Sequence, residues 1–297
     1  MDKNTDILHK YEIFLFDCDG TLWVEQEPIP GARDLIKYLV DHYKKVYFVT
    51  NISRQGRRKT FERALKMGVI PESTTEDLFY PVSYASAKYW KEKLNSKKVM
   101  VIGGDDAREE FHNFGMETVG CPKEFFTKSR VSEEEFEHMQ VDTEIDTVVS
   151  WGIDNWTYHL LWYVSLVIRN GAKYVCANPD SLGICGESGR LMPNSGALMT
   201  AIQYSADIEP IIVAKPKPNI FHMLWEDHNL SDIQKDKFIM FGDKIDGDIA
   251  FAHNWGIDSW LVLTGVSRKE NLDNLHKQYP EYKPTYVLDS VKDLVSG

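Results

Sequence analysis

Two aspartates stand one residue apart at the end of a short apolar run, in Phe14-Leu15-Phe16-Asp17-Cys18-Asp19-Gly20-Thr21. The run Ile13–Phe16 predicts a buried strand. Continued extended geometry would turn Asp17 and Asp19 to one side and Cys18 to the other. Such a pair can hold Mg²⁺, a hard cation that favours oxygen ligands. It can also divide labour, one acid as nucleophile and the other as proton donor. The plainer reading is a polar turn, because Asp-Gly is common in turns.

Three more predicted strands end in polar residues. Val46–Val49 runs into Thr50-Asn51, whose hydroxyl and amide suit phosphate oxygens or, more simply, a helix cap. Ile211–Val213 leads to Ala214-Lys215-Pro216-Lys217-Pro218, which is either an exposed stiff loop or an ammonium that offsets carboxylate and phosphate charge. Phe238–Phe241 leads to Gly242-Asp243-Lys244-Ile245-Asp246-Gly247-Asp248. Three acids there favour a divalent cation, with Asp246 or Asp248 alternatively opening the next helix. Each piece is modest alone. Acids, hydroxyl, lysine and acids, in that order at strand ends, form a pattern.

The elements that must position these groups alternate between strand and helix. Ala32–His42 and Arg57–Met67 have helical spacing, the second closing at Gly68. Val99–Ile102, Thr147–Trp151, Lys173–Cys176 and Trp260–Leu263 are further strand candidates. This alternation predicts an α/β fold with a parallel sheet, whose ligands sit beyond the carboxyl ends of the strands. Length, 297 residues, suggests two domains or one large one. With no low-complexity linker, a second domain must be inserted in the first. Glu117–Asp142 is charged and poorly periodic, and is expected to be a solvated face or loop.

Composition narrows the function. At 43% hydrophobic and 27% charged, the chain is not disordered. A net charge of −11 argues against nucleic acid as a partner, and it requires a local cation for any anionic substrate. Four cysteines without a CxxC pair read as reduced thiols. No signal peptide is visible, and the apolar stretch Tyr158–Ile168 is too short to span a bilayer. The expected location is cytoplasmic, away from membranes. Asn-x-Ser/Thr triplets at Asn51, Asn155 and Asn229 are then chance matches. Trp151, Trp156, Tyr158, Trp162 and Tyr163 fit buried packing or an interface better than substrate stacking. Gly103-Gly104-Asp105 lacks the full dinucleotide fingerprint, and no Walker A, nucleophile-elbow or zincin motif occurs.

The ordered pieces resemble the haloacid dehalogenase-like (HAD) phosphohydrolases. Asp17-x-Asp19-Gly20-Thr21, Thr50-Asn51, Lys215 and Gly242-Asp243 are similar to the four motifs of that superfamily. Phe48–Asn51, Ala177–Asp180, Gly196–Leu198, Lys215–Phe221, Gly242–Ile249 and Leu263–Val266 resemble one branch of it. That branch holds the p-nitrophenylphosphatase, phosphoglycolate phosphatase and pyridoxal-phosphate phosphatase-like enzymes. The resemblance implies a Rossmann-like parallel-sheet core at residues 1–95 plus 208–297. A large α/β cap at 96–207 would select substrate and could carry a homodimer contact.

By the same resemblance, Asp17 attacks phosphorus to form an aspartyl-phosphate. Asp19 protonates the leaving alkoxide and then deprotonates the attacking water. Thr50, Asn51 and Lys215 hold the phosphate. Mg²⁺ is bound by Asp17, the Asp19 backbone carbonyl and Asp243, with Asp248 as outer support. The expected activity is Mg²⁺-dependent hydrolysis of small phosphate monoesters, such as p-nitrophenyl phosphate and phosphoglycolate-like metabolites. The alternatives are a pyridoxal phosphate or sugar/nucleotide phosphatase, a phosphate-ligand-binding regulator without turnover, and phosphoryl transfer to an acceptor other than water. Ile52 replaces a usual second Asn, Ala214 a common Gly, and Lys244 a more usual Arg, losing the guanidinium fork. Ser181–Pro193 lacks the histidine typical of pyridoxal-phosphate-preferring members.

Overall fold

The computed structural model describes residues 7–121, 124–151, 155–185 and 190–295. Its central strand, Ile13–Phe16, is buried on both faces. Ile13 and Leu15 pack into one hydrophobic cluster with Tyr47, Val49, Phe238 and Met240. Phe14 and Phe16 pack into another with Val46, Phe48, Ile239 and Phe241. A strand apolar on both sides needs cover on both sides, which parallel sheets obtain from crossover helices. One such helix is Ala32–Asp41, which buries Ala32, Leu35, Ile36 and Leu39 along one stripe.

The first sheet has six strands, ordered Tyr286–Leu288, Asp258–Val262, Phe238–Gly242, Ile13–Phe16, Lys45–Thr50 and Phe79–Pro81. Every neighbouring pair is parallel. From Ile13–Phe16 the chain winds outward through Lys45–Thr50, then returns to the other side at Phe238–Gly242. The carboxyl end of the central strand is therefore the topological switch point, where open α/β sheets bind ligands.

Between these two excursions lies a second parallel sheet of five strands. Its order is Ile211–Ile212, Lys173–Cys176, Thr147–Ser150, Lys98–Ile102 and Glu117–Gly120. The helix Tyr158–Arg169 covers one face, with Leu160, Val164 and Val167 packed against Met100, Val148 and Tyr174. The other face joins the first sheet's cluster through Val99, Val101, Val149 and Trp151. An antiparallel hairpin, Leu182–Cys185 with Arg190–Pro193, projects from this second unit.

Several expectations need correction. The strand expected at Ile211–Val213 is Ile211–Ile212, and it extends the second sheet rather than the first. Lys215 thus arrives on a connection between sheets. The described residues of Glu117–Asp142 are mostly exposed or half-buried, as a solvated face should be, but they are not a plain loop. They include the edge strand Glu117–Gly120 and an exposed helix, Glu133–Glu137, started by a Ser132/Glu135 capping box. Helix Arg57–Lys66 closes near Gly68, which adopts φ +67° as a C-terminal glycine should. No helix among the described residues is long and apolar enough to cross a membrane.

Candidate active site

The strand Ile13–Phe16 ends where its hydrogen bonding hands over to a turn. The Asp17 N–H still donates to the Phe241 carbonyl at 2.8 Å, while the Cys18 carbonyl accepts from Thr21, Leu22 and Trp23. Alternation persists to this point, because Cys18 joins the cluster of Phe14 and Phe16 and Asp17 opens onto a cleft. Gly20 adopts φ +84°, and a Cβ there would lie 2.6 Å from Asp243 Oδ2. Only glycine lets the turn fold against that carboxylate.

Lys215 is the hub. Its Nζ donates to Asp17 Oδ1 at 2.7 Å, Asp248 Oδ1 at 2.6 Å and the Val49 carbonyl at 2.7 Å. Its side chain is 2% exposed, so burial works against the charge. Asp17 and Asp248 outweigh that penalty and hold the lysine pKa above its usual value.

Three buried carboxylates cluster here, and two of them, Asp17 and Asp248, pair with the ammonium. Asp17, Asp243 and Asp248 each offer an oxygen, all within 4.8 Å of one another. Burial raises the Asp17 pKa well above the usual carboxylate value; Lys215 opposes the rise, and Asp248 and Asp243 add to it. Burial, then the charge of Asp248, pushes Asp243 up to about 7, against the pull of the Val266 N–H on its Oδ2 at 2.5 Å. A dense all-oxygen set with surplus negative charge could hold a metal ion. Asp248 belongs to this trio, and its Oδ2 also accepts the Lys244 N–H at 3.1 Å. Asp246 instead accepts the Tyr279 hydroxyl at 3.3 Å.

Asp19 faces the same cleft but points elsewhere. Its Oδ1 accepts the Trp23 indole N–H at 2.8 Å and lies 3.5 Å from Arg63 Nη2. The carboxyl is 48% exposed, yet the enclosing walls still raise its pKa. Arg63 and the Trp23 N–H oppose that rise.

Thr50 and Asn51 close the strand Lys45–Thr50 beside these acids, and both are buried. The Thr50 hydroxyl accepts the Ile52 N–H at 3.2 Å. Asn51 is locked to the lysine loop by two bonds, its Oδ1 accepting Lys215 N–H at 3.1 Å and its Nδ2 donating to the Lys215 carbonyl at 3.2 Å. From the second unit, Asn178 Nδ2 donates to the Asn51 carbonyl at 2.9 Å, and Asp180 pairs with Lys244 at 2.5 Å.

The cleft thus formed has a volume of about 360 Å³ and lies between the two sheets. Asp17, Asp19, Thr50, Asn51, Lys215, Asp243 and Asp248 all line it, so every sequence-predicted site residue converges there. Arg54, Arg63 and Lys244 join Lys215 as local cations within an acidic protein. Leu182 and Met192 of the hairpin form an apolar part of the roof. None of the five aromatic residues Trp151, Trp156, Tyr158, Trp162 and Tyr163 lines the cleft; Trp151 and Tyr163 are buried. Sequence reasoning missed Arg63 and Asp180 as site residues. Asp180 carried a signal, a polar turn directly after the strand Lys173–Cys176, whereas Arg63 carried none.

The chain is similar to known proteins in sequence and fold. A haloacid dehalogenase-like hydrolase family matches residues 14–117, and a HAD-hydrolase-like family matches residues 212–294. Phosphoglycolate phosphatase 2 of Arabidopsis thaliana is 34% identical, over 95% of this chain and 92% of its own. The chain belongs to the haloacid dehalogenase-like hydrolases. Within that family it is a phosphatase. A 4-nitrophenylphosphatase of Schizosaccharomyces pombe is 30% identical, covering 97% of this chain and 95% of its own. The structure of a p-nitrophenyl phosphatase from Archaeoglobus fulgidus superposes with a TM-score of 0.79 at 27% identity, covering 96% and 98% of the two chains.

Proposed function

We propose that the protein is a Mg²⁺-dependent phosphomonoesterase that hydrolyses small phosphorylated metabolites through an aspartyl-phosphate on Asp17. The observation that carries this reading is the buried Lys215 ammonium shared by Asp17 and Asp248, in a cleft that also presents Thr50 and Asn51. The oxygen trio Asp17, Asp243 and Asp248 supports Mg²⁺ as the cation, and the family resemblance adds the Asp19 backbone carbonyl as a further ligand. When bound, it neutralises charge on the transferring phosphoryl group.

The chain's own residues divide the remaining work. Asp17 attacks phosphorus, and Lys215 orients its carboxylate, opposes the burial that favours its protonation and counters phosphate charge. Thr50 and Asn51 position the phosphate oxygens. Asp19, anchored by the Trp23 indole, gives a proton to the departing alkoxide and later takes one from water. Walls that raise its pKa suit it to hold that proton.

The two sheets support an inserted cap, with core residues 1–95 and the C-terminal segment framing it. The return crossing lies between Ile212 and Lys215, a few residues beyond position 207. Phosphoglycolate and similar small carboxylated phosphates are the leading substrates, supported by the Arabidopsis relative. A homodimer through the cap is supported by the exposed rings of Tyr158 and Tyr204 on neighbouring cap helices. A cytoplasmic location is supported by the free thiols of Cys18, Cys121 and Cys176. The test is phosphate release from a panel of phosphorylated metabolites with Mg²⁺, ranked by kcat/KM. Small carboxylated monophosphates should lead the ranking, and absence of turnover on every member of the panel overturns the reading.

A further inference from the structure

One carboxylate in the cleft has no part in the hydrolysis described above. Asp180 enters from the second unit on the turn Asn178-Pro179-Asp180. Its N–H donates to Asn178 Oδ1 at 2.9 Å, and its carbonyl accepts the Gly196 N–H at 2.9 Å. A Cβ at Gly196 would lie 2.2 Å from the Pro179 carbonyl oxygen, so glycine is what lets the helix Ser195–Ala206 press on this turn. Asn178 bolts the turn to the Asn51 carbonyl.

Held this way, Asp180 reaches two loops of the core. Its Oδ1 accepts from Lys244 Nζ at 2.5 Å, with both side chains mostly buried. Its two oxygens lie 3.5 and 3.4 Å from Asn51 Nδ2. A side-chain amide has two N–H groups. One of those on Asn51 serves the Lys215 carbonyl. The other is left for Asp180 or for a phosphate oxygen, and it cannot serve both fully. Lys244 has three N–H groups, and the one it gives to Asp180 is not free for phosphate.

We propose that Asp180 competes with the phosphate of the substrate for Asn51 and Lys244, and thereby sets a deliberately weak grip on phosphate. The proposal rests on the phosphate-binding reading of Asn51. Phosphate arriving at these donors loosens the cap's ion pair with the core; phosphate leaving restores it. A fixed negative charge beside a phosphate dianion also repels it directly. The carboxylate therefore favours release of the product.

The test is the inhibition constant of inorganic phosphate against p-nitrophenyl phosphate, in wild type, Asp180→Asn and Asp180→Glu, with thermal melts to confirm folding. Asp180→Asn should bind phosphate about three- to tenfold more tightly, the scale of removing one nearby charge under salt screening. Asp180→Glu should stay near wild type. Unchanged or weaker phosphate binding in Asp180→Asn makes Asp180 a simple tether and overturns the proposal. If Asp180→Asn fails to fold, Asp180→Ser is read the same way, and failure of both also overturns it. Calorimetric titration with phosphate gives the same comparison without turnover. A wild type that binds phosphate but hydrolyses nothing would remove the phosphatase reading and leave this one standing.

Discussion

Lys215 Nζ lies 2.7 Å from Asp17 Oδ1, although 198 residues separate the two in sequence. Most of that separation is the second unit, so folding of the insertion is part of assembling the site. The pair is buried and shares its environment with Asp243 and Asp248. Its energetics therefore govern both stability and chemistry.

Asp17→Asn should reduce p-nitrophenyl phosphate turnover by at least ~10³-fold, the scale seen when a nucleophile is removed. Because burial already disfavours the Asp17 charge, the neutral amide should leave the melting temperature of metal-free protein unchanged or higher. Initial rates and thermal melts on the same preparation check both halves. Retained turnover would remove Asp17 from its role.

Asp19→Asn separates substrates by leaving group. Nitrophenolate departs without a proton, whereas an alkoxide needs one, so the loss on alkyl phosphates should exceed that on p-nitrophenyl phosphate by about 10²-fold. Steady-state kcat on both substrates decides it. Equal losses would place Asp19 in positioning rather than proton transfer.

Metal and pH are linked with a definite sign. Asp243 rises from 3.8 to about 7 in the folded protein, and Asp17 is raised as well. A carboxyl raised by folding contributes stability that is fully present below its unfolded pKa and lost as pH rises through the folded value. Metal-free protein should therefore lose this contribution between about pH 4 and pH 8, the window set by those two pKa values. A bound cation favours the ionised forms, so added Mg²⁺ should raise the melting temperature more at pH 8 than at pH 5. Melts with Mg²⁺ and with chelator, at both pH values, measure this; an equal increment contradicts it.

Lys215→Met should abolish activity and also destabilise the fold. Removing one partner of a buried ion pair costs about 3–5 kcal/mol, because the remaining charge is left uncompensated. At pH 5 the cost should shrink, since Asp17 and Asp243 can take protons there. Urea denaturation of metal-free protein at pH 5 and pH 8 resolves the difference. A pH-independent cost would mean the lysine acts through packing alone.

The sequence made the core strands visible because each is a short apolar run that breaks abruptly into polar residues. Ile13–Phe16 breaks at Asp17, and Phe238–Gly242 breaks before Asp243. The helices Ala32–Asp41 and Arg57–Lys66 were legible from periodicity. Ile211–Ile212 misled because an apolar run states that a strand exists, not which sheet it joins; that is decided by pairing with Val175 and Cys176, far away in sequence. Glu117–Gly120 is a half-exposed edge strand and shows no clean alternation. The described residues of the hairpin strand Arg190–Pro193 are exposed on both faces, leaving no hydrophobic pattern to read. Among site residues, the motif aspartates announced themselves locally. Arg63 did not, since only the fold brings the middle of the helix Arg57–Lys66 to Asp19.

The second sheet's last strand ends at Ile212, and Lys215 follows three residues later at the centre of the site. This makes the insertion impossible to trim away as an accessory. Joining Leu94 to Ala214 to make a minimal enzyme would cut the anchor from which the lysine is aimed, while leaving its acidic partners in place. The shortened protein would be an inactive core with an unsupported cluster of buried charge, not a less selective phosphatase. The same cut would also strip Leu182 and Met192 from the wall of the cleft.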